Sequence, residues 1–450
     1  MSANKFSLNF LLQRKNVYST LLLFSILMLY SGGATVAQTK KNRRQIIAVN
    51  AAEISTGTNS KAIINVTIIN GLGDEPLTEG CVLIKGGIIQ YAGKMDDATI
   101  PAAAEITDAK GMYLLPGFID SHFHLDRTEG LPTQFLQHGV TSVRDPGAWI
   151  EAYDEERKSG KKIPRLFLTG PHFDMPPPAY PYDAYVVRDN YEAIQQVKAL
   201  ADQGATALKI YFRVPPGMIQ AICSTAHQRG IPVTAHLEIT EAMIAIEAGL
   251  DGVEHITSFG LSLLPKREGE KYRQGMLADN NFRKPGRYNM WKDININSAA
   301  ADSLIRYLVR KGTFVSPTLG PFEYQAGNGP VDSAKLSGFN NMKAMTARLN
   351  KGGVRLVLGS HSMIPYAEEG WAYQREMELW VESGIPNARV IMGATIENAR
   401  YFRIDDRLGS IEKGKIADLV LLKGNPLVDI KATRAVEKVM LNGVWVSSKE

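Results

Sequence analysis

The chain has 450 residues, enough for two or three average domains or for one large barrel with an attachment. Hydrophobic residues make up 44% and charged residues 22%, which excludes a disordered, a collagen-like and a polytopic membrane chain. The two cysteines, Cys81 and Cys223, exclude a disulfide scaffold and a cysteine-based zinc site, and they read as free thiols in separate domains.

Residues 1–37 read as a secretory leader. Lys5, Arg14 and Lys15 form a basic start, Leu21 to Leu29 an apolar core, and Ala34-Thr35-Val36-Ala37 a small-residue cleavage stretch. An uncleaved anchor is the alternative, although spanning a bilayer takes about 20 apolar residues. The leader carries three basic and no acidic residues, so the mature chain has 48 basic and 46 acidic residues. That balance gives no reason to expect nucleic acid or an anionic membrane as partner. Cleavage implies an exported protein, periplasmic or secreted, with no stable membrane insertion afterwards.

Residues 38–59 read as an N-terminal linker. Residues 60–113 alternate apolar and polar side chains, as in Ile63-Ile64-Asn65-Val66-Thr67-Ile68-Ile69, with a Gly86-Gly87 turn. Residues 401–450 read alike, with strands at 417–422 and 439–441 and an Asn442-Gly443 turn. Neither flank has enough strands for a stable sheet alone. Together they predict a small β-sandwich built from both chain ends.

Between them, residues 114–400 alternate short β-branched runs with amphipathic helical stretches. Eight runs are visible: 114–119, 140–144, 165–169, 207–212, 233–237, 252–256, 314–318 and 355–358. In the stretch 190–202, Ile194, Val197 and Leu200 share one face. Eight βα units in this length predict a (β/α)₈ barrel. A doubly wound open sheet is the alternative, but the phosphate-loop glycine fingerprint is absent. Residues 259–300 are too long for an ordinary connection and carry a basic excess. They read as a functional lid or a disordered loop, able to receive a substrate carboxylate or merely solvated.

The histidines carry the chemistry. His122 and His124 end the first barrel strand, and alternate strand residues face one side. Both can therefore face the C-terminal mouth, where barrel active sites sit. Two neutral imidazoles at that spacing suit zinc or another borderline divalent metal. His236 and His255 end two further strands, and Lys209 sits inside an apolar one. Burying a lysine is costly unless something pairs with it, although snorkelling to the mouth would also relieve it. Tyr211, two residues on, points the same way and reads as a substrate contact or a packed aromatic. His172, beside three prolines, reads as a loop residue touching substrate or a structural one.

At this point the chain resembles the amidohydrolase superfamily, near its imidazolonepropionase-like and Xaa-Pro dipeptidase-like branch. The resemblance rests on the run Leu115-Pro116-Gly117-Phe118-Ile119-Asp120-Ser121-His122-Phe123-His124, on Gly139 to Asp145, on Ala394 to Ala399 and on Gly409 to Leu419. It spans about residues 60–447. It implies a barrel with a sandwich made from both ends, and one or two divalent metals, zinc foremost. His122 and His124 would hold the more buried metal, a carbamate on Lys209 would bridge, and His236 and His255 would hold the second. It further implies hydrolysis of an amide, dipeptide-like or cyclic-amide C–N bond of a small molecule by metal-activated hydroxide. A homo-oligomer is compatible with it.

The chain departs from that pattern at one place. The family ends its eighth strand with an aspartate that ligates metal and moves a proton, whereas Leu358-Gly359-Ser360-His361-Ser362 presents His361. Three readings stand. His361 ligates metal or acts as a base beside it, given an ordinary pKa of about 6.5. Alternatively the enzyme is impaired, or the chain is a ligand-binding protein derived from an enzyme. Glu368 and Glu369 follow closely and read as solvated acids or as a replacement carboxylate.

Overall fold

A computed structural model describes residues 44–125, 128–326 and 329–446. The expected leader over residues 1–37 lies outside them. Five strands open the described chain: β1 Lys61–Ile68, β2 Leu77–Lys85, β3 Ile88–Lys94, β4 Glu105–Asp108 and β5 Tyr113–Pro116. The central region carries β6 Phe118–Asp120, β7 Val140–Asp145, β8 Arg165–Leu168, β9 His172–Asp174, β10 Ala184–Val186, β11 Leu208–Ile210, β12 Val233–His236, β13 Gly252–Glu254, β14 Phe314–Ser316 and β15 Arg355–Leu356. Then come β16 Leu419–Leu422, β17 Val436–Leu441 and β18 Val444–Val446.

The fold is α/β with parallel sheets, and each of the eight expected runs holds a strand. The first is split at Gly117 between β5 and β6. A side chain there would run into Thr141, so glycine lets the chain pass from one sheet to the next. The central strands form two parallel ladders, β6-β7-β8 and β10-β9-β11-β12-β13-β14-β15, rather than one continuous ladder. Backbone hydrogen bonds cross both seams. Thr206 donates to the Leu168 carbonyl at 2.8 Å, Ser121 to the Leu358 carbonyl at 3.0 Å and His361 to the His122 carbonyl at 2.6 Å. Strands β9 and β10 were not legible, because the sequence around 172–186 reads as a proline-rich loop.

The flanks come together in one eight-stranded sheet, ordered β18-β17-β16-β5-β1-β2-β3 with β4 also paired to β1. Both chain ends contribute, and the pairing is that of one connected sheet rather than two separate layers. Its own core includes Ile63, Val82, Leu114, Leu419 and Met440. The stretch expected as a linker is packed from Ile46 onward. Ile46 is buried, Val49 donates to the Leu166 carbonyl, and Asn50 brackets Pro164 and Leu166.

Helices fill the connections for local reasons. Asp189 caps the helix Asn190–Asp202 by accepting from the Glu192 amide at 2.8 Å, and the helix buries Ala193, Val197 and Leu200. Ile194 is only half-buried. Residues 259–300 are not an open loop. They form the helices Gly260–Leu263, Lys266–Ala278 and Arg283–Asp293, and they bury Tyr272, Met276, Met290 and Trp291. Arg213, just after β11, ties this insert to the parallel strands through the Met276 carbonyl and the Asn280 side chain. No helix among the described residues is long and apolar enough to cross a membrane. Cys81 and Cys223 are buried free thiols.

Candidate metal centre

A cavity of about 420 Å³ opens at the C-terminal ends of the parallel strands. It is lined by all eight residues singled out from sequence: His122, His124, His172, Lys209, Tyr211, His236, His255 and His361. Glu368 and Glu369 are exposed and do not line it, so neither replaces the missing aspartate. The two remaining histidines are structural. His138 bonds the Gly370 carbonyl and stacks on Trp371, and His227 pairs with Asp251.

The imidazoles lie against one another. His122 and His255 have ring centroids 4.6 Å apart, His236 and His255 4.5 Å, and His124 and His361 4.7 Å. One ring nitrogen from each of His122, His124 and His361 lies within 4.8 Å of the others. His361 therefore stands in the cluster itself and not in a layer behind it. Its neighbour Gly359 makes this approach feasible, because a side chain there would sit 2.6 Å from His122 Cβ.

The backbone is bent hard around the site. His255, Thr318, His361 and Ser362 have φ of +64°, +47°, +61° and +55°. Such values are uncommon for residues other than glycine, and they collect where surrounding structure enforces them.

Hydrogen bonds decide which nitrogens face the cavity. His122 Nδ1 is 2.7 Å from Glu254 Oε2, and the carboxylate accepts, so Nε2 is bare. The Thr318 hydroxyl donates to the Pro317 carbonyl at 2.8 Å. It must then accept from His255 Nδ1 at 2.6 Å, which leaves His255 Nε2 bare. The Nε2 atoms of His122 and His124 lie 3.1 Å apart, and His124 Nδ1 lies 3.5 Å from Asp145 Oδ1. Two ring nitrogens at that separation can share a proton or a cation. His236 Nε2 meets Glu238 at 2.7 Å, while its buried Nδ1 has no hydrogen-bond partner. An orphaned buried nitrogen is a cost that a metal would remove.

The protonation states agree. Burial, then the charge of Lys209 and neighbouring imidazoles, holds His122 well below its ordinary value. Burial does the same to His255 and His361. His236 is pulled to about 4 and His172 to about 3, again mainly by burial. These imidazoles are neutral at pH 7, the form that ligates metal. Burial pulls Lys209 to about 8, partly offset by Glu254.

Besides Glu238 at His236, two further carboxylates were missed from sequence. Glu254 is fully buried and joins His122, Arg144 and Tyr401. Asp145 is fully buried and takes Tyr153, Leu125, Gly147 and Ala148 as donors. Burial would raise Asp145, but its bond to His124 and these amide donors hold it below its ordinary value. Asp145 closes a motif visible in the sequence, whereas nothing local marks Glu254.

The amidohydrolase family model matches residues 113–446. The chain belongs to the amidohydrolase family. A Rubrobacter xylanophilus adenine deaminase is 24% identical over 389 residues, covering 84% of this chain and 56% of the relative. A Moorella thermoacetica adenine deaminase is 23% identical, covering 90% of this chain and 60% of that relative. The chain thus spans less than two thirds of the length of these deaminases. Among solved structures, a Xaa-Pro dipeptidase with bound methionine aligns with a TM-score of 0.67 and 21% identity, covering 86% of this chain and all of that one. Phenylurea hydrolase B aligns with a TM-score of 0.68 and 20% identity, covering 87% of this chain and 97% of that one. At these identities the structures establish a shared fold.

Proposed function

We propose that this amidohydrolase hydrolyses a C–N bond in a small amide, of dipeptide or cyclic-amide type, with His361 serving where an aspartate is usual. The observation that carries the reading is the set of imidazole nitrogens that converge on one cavity, those of His122, His124 and His361 within 4.8 Å of one another. His122, His124 and His361 would hold one divalent ion. His236 through Nδ1 and His255 through Nε2 would hold a second. Lys209, buried beside them, is proposed to carry a carbamate that bridges the two. Zinc is the proposed metal, because imidazole-rich sites without thiolates suit it. Such a metal, when bound, lowers the pKa of water and polarises a carbonyl.

The protein's own side chains then have defined work. Glu254 fixes the His122 tautomer, and Thr318 fixes that of His255. Asp145 orients His124 and leaves a carboxylate at the cavity wall. Tyr211 faces the cavity as a donor to substrate, and His172 as a second contact through its unpartnered Nε2. A His361 nitrogen bound to metal leaves only the other nitrogen to exchange a proton with the leaving amine.

Three wider elements belong to this proposal. The two parallel ladders are read as one closed (β/α)₈ barrel, supported by the seam hydrogen bonds. The eight-stranded sheet is read as a sandwich folded around its own core. Export is supported by the basic start, apolar core and small-residue stretch within residues 1–37.

A second reading, a ligand-binding protein that has lost turnover, is favoured by the lack of a carboxylate at position 361. One experiment separates the two. The zinc-loaded protein is assayed for release of free amine from libraries of dipeptides, N-acyl amino acids and cyclic amides. Hydrolysis that vanishes with a chelator and returns with zinc supports the enzyme. Tight binding with no release from any library member favours the binding protein.

A further inference from the structure

The helical insert sends Arg283 into the cavity wall, where it is only 5% exposed. Its two terminal nitrogens bond the hydroxyls of Tyr211 and Tyr180, and its buried Nε has no partner. Two phenols satisfy donors but supply no charge. Among the described residues no carboxylate forms an ion pair with it. Glu238, which acts on Arg283 from a distance, is bonded instead to His236, Arg287 and Tyr272. Arg287, the other guanidinium of the cavity, is therefore neutralised and Arg283 is not. A buried cation left in this state is costly, and an arriving anion removes the cost.

We infer that Arg283 receives a carboxylate of the substrate, flanked by the phenols of Tyr180 and Tyr211. The inference rests on the hydrolase reading and narrows its substrates to small carboxylated amides. Tyr211 links the two halves of the cavity. It bonds Arg283 and packs against His236 and His172, at 4.7 and 4.6 Å between ring centroids. A carboxylate at Arg283 thus lies one side chain from the imidazole cluster, so the bond to be cut lies near the charged end of the ligand. The planar fork of a guanidinium matches a carboxylate in two parallel hydrogen bonds.

The test uses ligands without an amide bond, so that binding is read apart from turnover. Affinities of 3-phenylpropionate and 3-phenylpropanol are measured by calorimetry on the zinc-loaded full chain. The carboxylate should bind roughly 10- to 100-fold tighter than the alcohol, the range of a charge-assisted hydrogen bond. Arg283→Gln should erase that preference, Arg283→Lys should keep part of it, and Tyr180→Phe, at a more exposed position, should reduce it a few-fold. A preference untouched in Arg283→Gln, which a carboxylate bound to metal alone would give, overturns the inference. So does an equal weakening of acid and alcohol. If Arg283→Gln does not fold, an unchanged preference in both other variants overturns it equally. The parent reading fails separately. Carboxylate selectivity with no amide hydrolysed leaves Arg283 standing and removes the hydrolase, while equal hydrolysis of neutral and carboxylated amides does the reverse.

Discussion

Glu254 is the strongest single handle on the site. It is 0% exposed and takes donors from His122, Arg144 and Tyr401, while its partner Arg144 is 3% exposed. Burial would raise its pKa, but Arg144 and Lys209 hold it below the ordinary value, so it is ionised. Replacing it with Gln keeps the shape and removes the charge. Arg144 is then a buried cation without a counter-charge, a loss of about 3–5 kcal/mol. With an unfolding entropy near 2.1 cal/mol/K per residue over about 400 residues, that lowers Tm by about 4–6 °C. The same change frees the His122 tautomer and should weaken metal binding roughly 10- to 100-fold. The assay is thermal unfolding with metal titration, run on Glu254→Gln, on Arg144→Met and on the double variant. The double variant should be more stable than Glu254→Gln alone, because it removes the orphaned charge. Equal Tm in Glu254→Gln and wild type, or losses that simply add in the double variant, would refute the reasoning.

Other changes follow from the same geometry. His361→Ala should lose bound metal on dialysis while retaining the wild-type circular dichroism spectrum, and full retention of metal would remove His361 from the ligand set. His361→Asp separates a variant mechanism from an impaired one: the account expects it to lower turnover, and a large rise would mark the native site as impaired. Gly359→Ala pushes a methyl group against His122 and should cost about 1–3 kcal/mol together with metal affinity, both read from melts with and without zinc. Glu376 accepts from the Leu319 and Gly320 amides and Trp380, and burial raises its pKa to about 7. Its contribution is fully present below the unfolded value of about 4.3 and is lost as pH rises through about 7, on the order of 3 kcal/mol. Glu376→Gln should therefore flatten the fall in stability between pH 5 and 8, and an unchanged slope in denaturant melts would contradict it.

The site was legible to an unusual degree because its candidate residues lie in or just beyond parallel strands that open on one mouth: Lys209 and His236 in β11 and β12, and His122, His124, His255 and His361 a few residues past β6, β13 and β15. The two-residue spacing of His122 and His124, and of Lys209 and Tyr211, predicts that each pair faces the mouth, and all four line the cavity although β6 ends at Asp120 and β11 at Ile210. The supporting carboxylates were not legible for a physical reason. Glu254 meets His122 and Arg144 across 132 and 110 residues of chain, and no local pattern encodes such a contact. The insert was misread in a more instructive way. Its charges suggested a solvated loop, yet Gly269, Tyr272 and Met276 recur at helical spacing and form the buried face of a helix. That periodicity was present in the sequence and was outweighed by length and charge. Similarly, alternation in the flanks revealed strands from both ends, while the single eight-stranded sheet depends on pairings between strands about 300 residues apart, such as β16 with β5.

The central claim is that this imidazole cluster holds divalent metal despite His361. Elemental analysis of protein purified without added metal or chelator tests it most directly. The account predicts about two divalent ions per chain, falling in His361→Ala and in Lys209→Ala. Metal-free protein that takes up none when supplied with zinc and bicarbonate would contradict it.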